Sequence, residues 1–586
     1  MAALLVNTLD NYTSKQIGEN GHVEYGWSNS IREKILQFSF QLTRTDERGI
    51  QRLSLVLREM LTTLKTQHNS IEKSNPDFVV ATEYLILLYK MIGQTRDIID
   101  GKGECSLTYM MIHTWYDFYP ELALYALKCL VDFGDDGKTH QYGSWKDIKY
   151  FSSYCHKNGS SLDHPLIQYA INIVNTQIKT DLSNLISNSD EISLAGKWVP
   201  REKSGSFGWM YQALACNYFP MYIESASKDS SKSAAILKSK MEYRKVLSTL
   251  NRKIETLQIK QCNRSWSNID FKNVTSVSLS KQKKAFLNVT KKGEPKFPDN
   301  EDRNECAKNF NEHIQKAVKG EVEIKGKRVG LENFTKQALE LLSNPNLPSF
   351  ELEKELLNSQ WRDNSSQTGA LEDMIAMVDV SGSMSGDPLN AAVALGIRVA
   401  EKSRLGKRIM TFSSTPKWVN LERKNDFVSM VETVQNADWG MNTNFDAALN
   451  MILDAIIVAK MEPEDVEGLT LAVFSDMQMD QADRDSSALY DRIRDKYAAT
   501  GMRIKGKPYK PPHILFWNLR STSGFPLLSS QQNASMMSGF SPSMLSLFCE
   551  QGINSLQSCS PWSLFLRSLE NDRYSIMETR ARDFFV

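Results

Sequence analysis

Several patterns that would assign this sequence of 586 residues to a function class are missing from it. Its eight cysteines form no C-x-x-C pair, so neither a zinc site nor a disulfide framework is predicted, and a reducing intracellular setting fits better. The eight histidines form no H-x-x-x-H pattern, and the H-x-E triplet at His22 has no C-x-x-C pair to accompany it, so they add no zinc signature.

Long apolar runs are also scarce. The first residues, MAALLVNTLDNYTSKQ, hold no basic region and no long apolar region, so no signal peptide is predicted. The most apolar window, FVVATEYLILLYKMIG, contains Glu83 and Lys90 and is too short to span a bilayer. We therefore expect an intracellular, cytoplasmic protein with no membrane partner.

Net charge is small, at +1, but its distribution is uneven. Residues 201–330 hold 26 Lys and Arg against 14 Asp and Glu. This excess indicates either an anionic partner or a solvated helical surface that acidic neighbours balance in three dimensions. The sequence leaves both interpretations open.

The chain is too long for a single core, and its first part has a helical pattern. In TEYLILLYKMIGQTRDIID and PELALYALKCLVDFG, apolar residues recur every three or four positions. No strict repeat period is visible, so residues 1–365 are predicted to form an irregular, HEAT-like array of paired helices. Within it, KQKKAFLNVTKKGEPKFPDNEDRNE belongs to a basic segment, at about 253–330, that we predict to be rich in loops.

From Met374 the pattern changes to alternating strands and helices. MIAMVDV, LTLAVFSDM and HILFWNL are typical of buried strands, and KRIMTFSS and PKWVNL of a strand pair. Residues 372–586 are therefore predicted to form a doubly wound α/β domain with a mostly parallel sheet. In such sheets, ligands bind at the carboxyl ends of the strands.

Three polar features lie at these predicted strand ends or in adjoining loops: Asp379-x-Ser381-x-Ser383, Thr443 in DWGMNTNF, and Asp476 in VFSDMQMD. Together they offer carboxylate and hydroxyl oxygens without a nearby histidine or cysteine. Oxygen ligands of this kind suit Mg²⁺, Mn²⁺ or Ca²⁺ rather than zinc.

Competing chemistries fit these residues less well. A phosphate loop requires Lys and then Ser or Thr after its last glycine, but Asp387 follows Gly386. A nucleophile elbow G-x-S-x-G would place Met384 where the serine is needed. A phosphatase motif D-x-D would need an acid where Ser381 stands. Sequence distance alone leaves His513 open as a catalytic base.

At these residues the sequence resembles the von Willebrand factor type A domain and its metal-ion-dependent adhesion site, over about residues 372–586. DVSGSMSG matches the D-x-S-x-S motif of that family, GMNTNF resembles its threonine loop, and FSDMQ resembles its final aspartate loop. The resemblance implies that Ser381, Ser383 and Thr443 coordinate the ion directly, and that Asp379 and Asp476 act largely through bound water. GMNTN departs from the commoner Gly-Gly-Thr spelling.

The N-terminal half carries a second resemblance. TRDIIDGKGECSLTYMM (95–111) and YGSWKDIKYF (142–151) are similar to an uncharacterised family of eukaryotes and large viruses, in which a helical domain precedes an A-type domain. RDIIDGKGE is also similar to a segment of the Ro autoantigen (TROVE) family, whose members bind structured RNA. This similarity implies RNA binding by analogy only.

The sequence therefore predicts a non-enzymatic binding or scaffold protein. Its cation, Mg²⁺ with Mn²⁺ or Ca²⁺ as alternatives, would be completed by an Asp or Glu of a protein partner. The alternative is an RNA-binding protein similar to Ro, and the candidate contacts are Lys102, Lys146, Lys283, Lys284, Lys291 and Lys292. A metal-dependent phosphoryl hydrolase is the lesser alternative.

Overall fold

The computed structural model describes residues 13–132, 141–226, 229–437, 443–479, 489–549 and 559–586. In these ranges the N-terminal region is mostly helical, and the C-terminal region contains a six-stranded, mostly parallel sheet. This confirms the change of architecture predicted near Met374. None of the described helices is long and apolar enough to cross a membrane.

The N-terminal region begins with an antiparallel hairpin of β1 (Lys15–Ile17) and β2 (Val23–Tyr25), which the helical pattern of this region does not indicate. The helices that follow are α1 (Ile31–Gln41), α2 (Glu47–Ser70), α3 (Pro76–Arg96), α4 (Cys105–Tyr116), α5 (Pro120–Lys128), α6 (Trp145–Lys157), α7 (Pro165–Ile186), α8 (Ala195–Trp198), α9 (Gly208–Tyr218), α10 (Pro220–Glu224), α11 (Asp229–Ile254), α12 (Leu257–Cys262), α13 (Ser276–Phe286), α14 (Glu301–Val318), α15 (Leu331–Leu342) and α16 (Phe350–Ser365).

The C-terminal region alternates strands with helices. Its elements are β3 (Met374–Asp379), α17 (Asp387–Lys402), β4 (Arg408–Phe412), β5 (Lys417–Asn420), α18 (Phe427–Gln435), α19 (Phe445–Val458), α20 (Pro463–Glu467), β6 (Thr470–Ser475), α21 (Leu489–Lys505), β7 (His513–Asn518), β8 (Ala534–Ser538), α22 (Ser546–Cys549), α23 (Pro561–Leu569) and α24 (Ser575–Phe585). The strand order is β5-β4-β3-β6-β7-β8, and β5 pairs antiparallel with β4 while the other neighbours pair in parallel.

Both faces of the sheet are covered by apolar side chains. Along β3, Ile375 and Met377 belong to the apolar core that also contains the N-terminal helices. Ala376 and Val378, on the other face, belong to a second core with α17 and α18. Successive side chains of a strand point to opposite faces of the sheet. Because both faces are covered, every residue of β3 is buried.

Helices from distant parts of the chain pack around the C-terminal region. α15 and α16 precede residue 372, yet they pack against α17 and α18. Trp361 of α16 stacks on Phe427 of α18, with ring centroids 4.0 Å apart. At the other end of the chain, α24 packs against α3 of the N-terminal region.

The segment at 253–330 is more ordered than the sequence predicts. KQKKAF lies in α13 and EDRNE begins α14, rather than in an exposed loop. The segment forms its own apolar cluster, in which Phe271, Phe286 and Phe310 are in mutual ring contact. Charged residues conceal the helical stripe in the sequence, because only every third or fourth residue of α14 has to be apolar.

Candidate functional site

Asp379 and Asp476 lie at the same edge of the sheet. Asp379 ends β3, and Asp476 directly follows β6, its parallel neighbour. Both carboxylates have 0% exposure. Since carboxyl ends of adjacent parallel strands meet at one edge, the fold brings together two acids that are 97 positions apart in the sequence.

The loop after β3 gathers hydroxyl groups around Asp379. The backbone N–H of Ser381 donates to Asp379 Oδ1 at 2.9 Å. The Oγ atoms of Ser381 and Ser383 lie 3.1 Å apart. A 3₁₀ turn at Gly382–Met384, held by the buried Met384 side chain, curls the loop so that both serines face one point.

The loop after β6 is held in an unusual conformation. Met477 has φ +65°, a left-handed value that is uncommon for a residue other than glycine. Its N–H donates to Ser475 Oγ at 3.0 Å, and the N–H of Gln478 donates to Asp476 Oδ1 at 3.1 Å. Strained backbone of this kind is concentrated at functional sites, where it fixes side chains in place.

Ser475 is a site residue that the sequence analysis missed. Its hydroxyl donates to Asp379 Oδ2 at 2.6 Å and therefore orients that carboxylate. The signal was available, because Ser475 directly precedes Asp476 at the end of a predicted strand. Strand alternation alone does not show which of two adjacent polar residues faces the site.

The surroundings of Asp379, which include the Asp476 carboxylate, alter the pKa of its carboxyl group. Burial, together with the nearby charge of Asp476, raises the pKa of the Asp379 carboxyl to about 7. A divalent cation would favour the ionised form of Asp379. In the described ranges no cluster of three or more His, Cys, Asp or Glu could hold a metal. A cation here would therefore depend on hydroxyl ligands as well as carboxylates, and this donor set fits Mg²⁺, Mn²⁺ or Ca²⁺.

Thr443 is buried just before α19. The N–H of the adjacent Asn444 donates to the carbonyl of Ser413 at 2.9 Å. Ser413 follows β4, which lies beside β3, so Thr443 is placed at the same edge of the sheet as Asp379. Residues 438–442, which complete the predicted threonine loop, lie outside the described residues.

Arg520 is a further residue that the sequence did not indicate. It follows β7 and donates from Nη1 to Asp476 Oδ2 at 3.1 Å. The same nitrogen lies 3.5 Å from Oε2 of Glu19, in the N-terminal hairpin. These contacts bring a third strand end and a distant hairpin to the site.

His513 lies at the opposite edge of the sheet. It begins β7 and pairs with Thr470 at the start of β6. A strand rises about 3.3 Å per residue, so a six-residue strand separates His513 from the carboxyl edge by roughly 17 Å. The ring is 1% exposed, and its Nε2 lies 2.9 Å from Ser535 Oγ. His513 therefore cannot act as a base for Ser381 or Ser383.

Among the lysines considered for RNA binding, Lys102 is buried inside the protein. Lys102 is 4% exposed, and its Nζ donates to the carbonyl of Ser39 at 2.7 Å and to Ser538 Oγ at 2.7 Å. Burial lowers the pKa of Lys102 to about 7. Because its donors are used inside the protein, Lys102 is not on a surface that RNA can reach.

The remaining basic candidates lie closer to solvent. Lys283 forms an ion pair with Glu353 at 2.8 Å. Lys284 is half-buried, while Lys291 and Lys292 are exposed. Lys146 is also exposed, and its Nζ lies 5.2 Å from the ring centroid of Tyr150.

Lys146 belongs to a cluster of lysines and aromatic rings that we call the aromatic–lysine patch (Lys146, Lys149, Tyr150, Trp198 and Phe207). Lys149 Nζ lies 4.9, 5.3 and 5.1 Å from the ring centroids of Tyr150, Trp198 and Phe207 respectively. Burial, and then the charge of Lys146, lower the pKa of Lys149. An anionic ligand would relieve both penalties on the Lys149 ammonium.

The two quoted N-terminal motifs meet inside the protein. Arg96, in TRDIIDGKGE, donates through Nε and Nη2 to the two carboxylate oxygens of Asp147, both at 2.8 Å. Asp147 belongs to YGSWKDIKYF and also accepts from Tyr109 Oη at 2.6 Å. Asp97 accepts from Arg573 at 2.6 and 2.5 Å. These contacts join separate helices to one another.

Comparisons with known proteins found two matching family models and a viral relative. Residues 168–364 match a domain of unknown function, DUF2828, and residues 373–572 match another, DUF7788. The chain is 28% identical over 502 residues to the uncharacterized protein L728 of Acanthamoeba polyphaga mimivirus, covering 82% of this chain and 78% of that relative. These matches fit an uncharacterised family of eukaryotes and large viruses.

Proposed function

We propose that this chain is a non-enzymatic binding or scaffold protein whose C-terminal region is a von Willebrand factor type A-like domain with a metal-ion-dependent adhesion site. The observation that supports this most directly is the burial of Asp379 and Asp476 at one sheet edge, beside the paired Ser381 and Ser383 hydroxyls. Mostly helical packing in the N-terminal region supports the scaffold role.

In this proposal Ser381, Ser383 and Thr443 hold Mg²⁺ directly, and Asp379 and Asp476 hold it through water. A cation bound mainly by neutral hydroxyls keeps strong Lewis acidity for an Asp or Glu carboxylate of a protein partner. Ser475 positions Asp379 through its 2.6 Å hydrogen bond. The buried surroundings strengthen these interactions, because the local dielectric constant is lower than in water.

The metal site is tested by titrating Mn²⁺ into the full chain by calorimetry. We expect Asp379→Asn to weaken Mn²⁺ binding roughly tenfold or more, as is typical when a residue that orients a metal is changed. Asp454→Asn, at an exposed position on α19, is the matched control and should bind like wild type. Equal Mn²⁺ affinity in the two variants would contradict the proposed site.

Recognition is tested by affinity purification of wild type and of the Asp379→Asn variant, each with Mg²⁺ or with EDTA. We expect a protein partner that wild type retains only with Mg²⁺ and that the variant does not retain. If the same partners are recovered after EDTA treatment and from the Asp379→Asn variant, the metal is not required for recognition.

RNA binding remains the alternative, and the aromatic–lysine patch favours it. Tyr150 is 40% exposed and lies 5.5 Å from Phe207, ring centroid to ring centroid. Exposed aromatic rings between lysines are typical of surfaces on which bases stack while cations contact phosphates. The similarity of RDIIDGKGE to the Ro family supports the same alternative.

The RNA proposal is tested by fluorescence anisotropy with a labelled stem–loop RNA at increasing salt. We expect affinity to fall steeply with salt, and a Lys146→Gln, Lys149→Gln variant to show a smaller dependence, because two phosphate contacts are lost. Lys510→Gln, at a 73% exposed side chain of the C-terminal region, should behave like wild type. Binding that is undetectable, or insensitive to salt, would contradict this alternative.

A metal-dependent phosphoryl hydrolase is the lesser alternative. The position of His513 weighs against it, because this histidine lies at the edge of the sheet remote from Asp379.

A further inference from the structure

The N-terminal hairpin is attached to the sheet edge that carries the candidate cation site. Tyr25 of β2 and Phe525, in the segment after β7, exchange two backbone hydrogen bonds of 2.9 and 3.0 Å. On β1, Gln16 Nε2 donates to the carbonyl of Ser523 at 3.3 Å. The base of the hairpin is therefore fixed by pairing of the kind found in a sheet.

The tip of the hairpin contacts the loop that carries Asp476. The backbone N–H of Glu19 donates to Gln478 Oε1 at 2.7 Å, and Asn20 Nδ2 donates to the Gln478 carbonyl at 2.8 Å. Gln478 lies two residues after Asp476 and is 1% exposed. Both ends of the hairpin are thus tied to the C-terminal region.

Glycines allow the tight turn that places Glu19 at this tip. Gly21 has φ +86°, which favours glycine, and its N–H donates to the Gly18 carbonyl at 3.0 Å. A Cβ on Gly18 would lie 2.3 Å from the His22 ring. A side chain at Gly18 would require the His22 ring to shift, and one at Gly21 would be strained by its positive φ.

The carboxylates of Glu19 and Asp476 both form ion pairs with the Arg520 guanidinium. Arg520 Nη1 lies 3.1 Å from Asp476 Oδ2 and 3.5 Å from Glu19 Oε2. Glu19 is 56% exposed, so its ion pair with Arg520 contributes little to stability. A stabilising role does not explain why the hairpin presents an acid at this point.

We propose that Glu19 is an internal ligand of the candidate cation site: it supplies, from the same chain, the acidic group that the site recognises. This inference rests on the proposed function and specifies it further. An acidic partner would have to displace the hairpin tip, so the contacts of Gln478 with Glu19 and Asn20 would set the threshold for binding.

The test combines Mn²⁺ calorimetry with hydrogen–deuterium exchange of the hairpin amides in the full chain. We expect Glu19→Gln to weaken Mn²⁺ binding roughly tenfold, because a carboxylate ligand is lost. In wild type, Mn²⁺ should slow exchange at residues 15–25, and Glu19→Gln should remove this protection. Glu72→Gln, at an exposed residue between α2 and α3, is the control and should match wild type in both measurements.

The outcomes separate this inference from the proposed function. If wild type and Glu19→Gln bind Mn²⁺ equally, or if hairpin exchange does not respond to Mn²⁺, Glu19 is not a ligand and the inference is overturned while the metal site stands. A lower affinity without any change of exchange would reflect long-range charge alone and would also overturn it. If wild type does not bind Mn²⁺, both proposals fail together.

Discussion

At the scale of single residues, the candidate site contains two buried carboxyl groups, and burial disfavours the charged form of such groups. Asp379 and Asp476 are both inaccessible to solvent, and burial together with the Asp476 charge raises the pKa of Asp379 to about 7. Ser381 N–H and Ser475 Oγ each donate to Asp379, which lowers its pKa but leaves it well above the ordinary value of 3.8. Under the proposed function, a bound cation would offset the cost of burying these carboxylates.

This arrangement predicts how stability depends on pH in chelator-treated protein. The folded state binds the Asp379 proton more tightly than the unfolded state, so the stabilisation is fully present below about pH 4 and is lost as pH rises through about 7. Each unit of difference between the two pKa values corresponds to about 1.4 kcal/mol. We expect metal-free Asp379→Asn to become more stable than wild type as pH rises from 5 to 8.

Urea unfolding at several pH values in EDTA measures this difference. Asp454→Asn again serves as the control, since its exposed position should give a constant difference from wild type. If the free energies of unfolding of wild type and Asp379→Asn stay parallel across this pH range, the raised pKa is refuted.

Most acids and hydroxyls of the site could be predicted at this scale, and their neighbours could not. Asp379, Ser381 and Ser383 follow directly from a strand and its loop. Arg520 and Glu19 carry no local signal, because an arginine after a strand and a glutamate in a turn are common surface residues. Their meeting depends on which loops the fold brings to one edge.

At the scale of secondary structure, buried strands were the easiest elements to predict. MIAMVDV and HILFWNL form β3 and β7, and the predicted strand pair forms β4 and β5. β8, with the sequence ASMMS, was missed because it lacks β-branched and aromatic residues, and only its place beside β7 makes it a strand. In the segment at 253–330, including α14, the many charged residues made the regular spacing of apolar residues hard to recognise in the sequence.

At the scale of the whole molecule, the two ends of the chain hold the regions together. The hairpin of β1 and β2 attaches to the sheet edge, and α24 packs on α3. The RDIIDGKGE motif lies at this junction: Asp97 accepts from Arg573, and Lys102 donates to Ser538. The motif therefore connects the helical region to the sheet region.

The junction predicts a large effect of Arg573→Ala on stability. Asp97 is 0% exposed, and removal of Arg573 would leave its carboxylate buried without its partner guanidinium. Loss of one partner of a buried ion pair costs about 3–5 kcal/mol. We expect a decrease of this size in the free energy of unfolding, measured by urea denaturation.

An exposed ion pair with similar geometry provides the comparison. Arg404 donates to both carboxylate oxygens of Asp373, at 2.9 and 2.6 Å, but its side chain is 63% exposed. Arg404→Ala should therefore lower the free energy of unfolding far less than Arg573→Ala does. Similar losses in the two variants would show that the Asp97–Arg573 pair does not join the regions.

The sequence by itself determined the change from a mostly helical region to a region with a mostly parallel sheet, and it suggested most of the candidate cation ligands. Helical and strand periodicities are local, and Asp379 and Asp476 are readable because each follows a buried strand. Only the tertiary structure decided that Ser475 orients Asp379, that His513 lies at the far edge, and that Glu19 and Arg520 reach Asp476. The physical reason is that these contacts join loops far apart in the sequence, and packing of the whole chain, rather than local spacing, selects them.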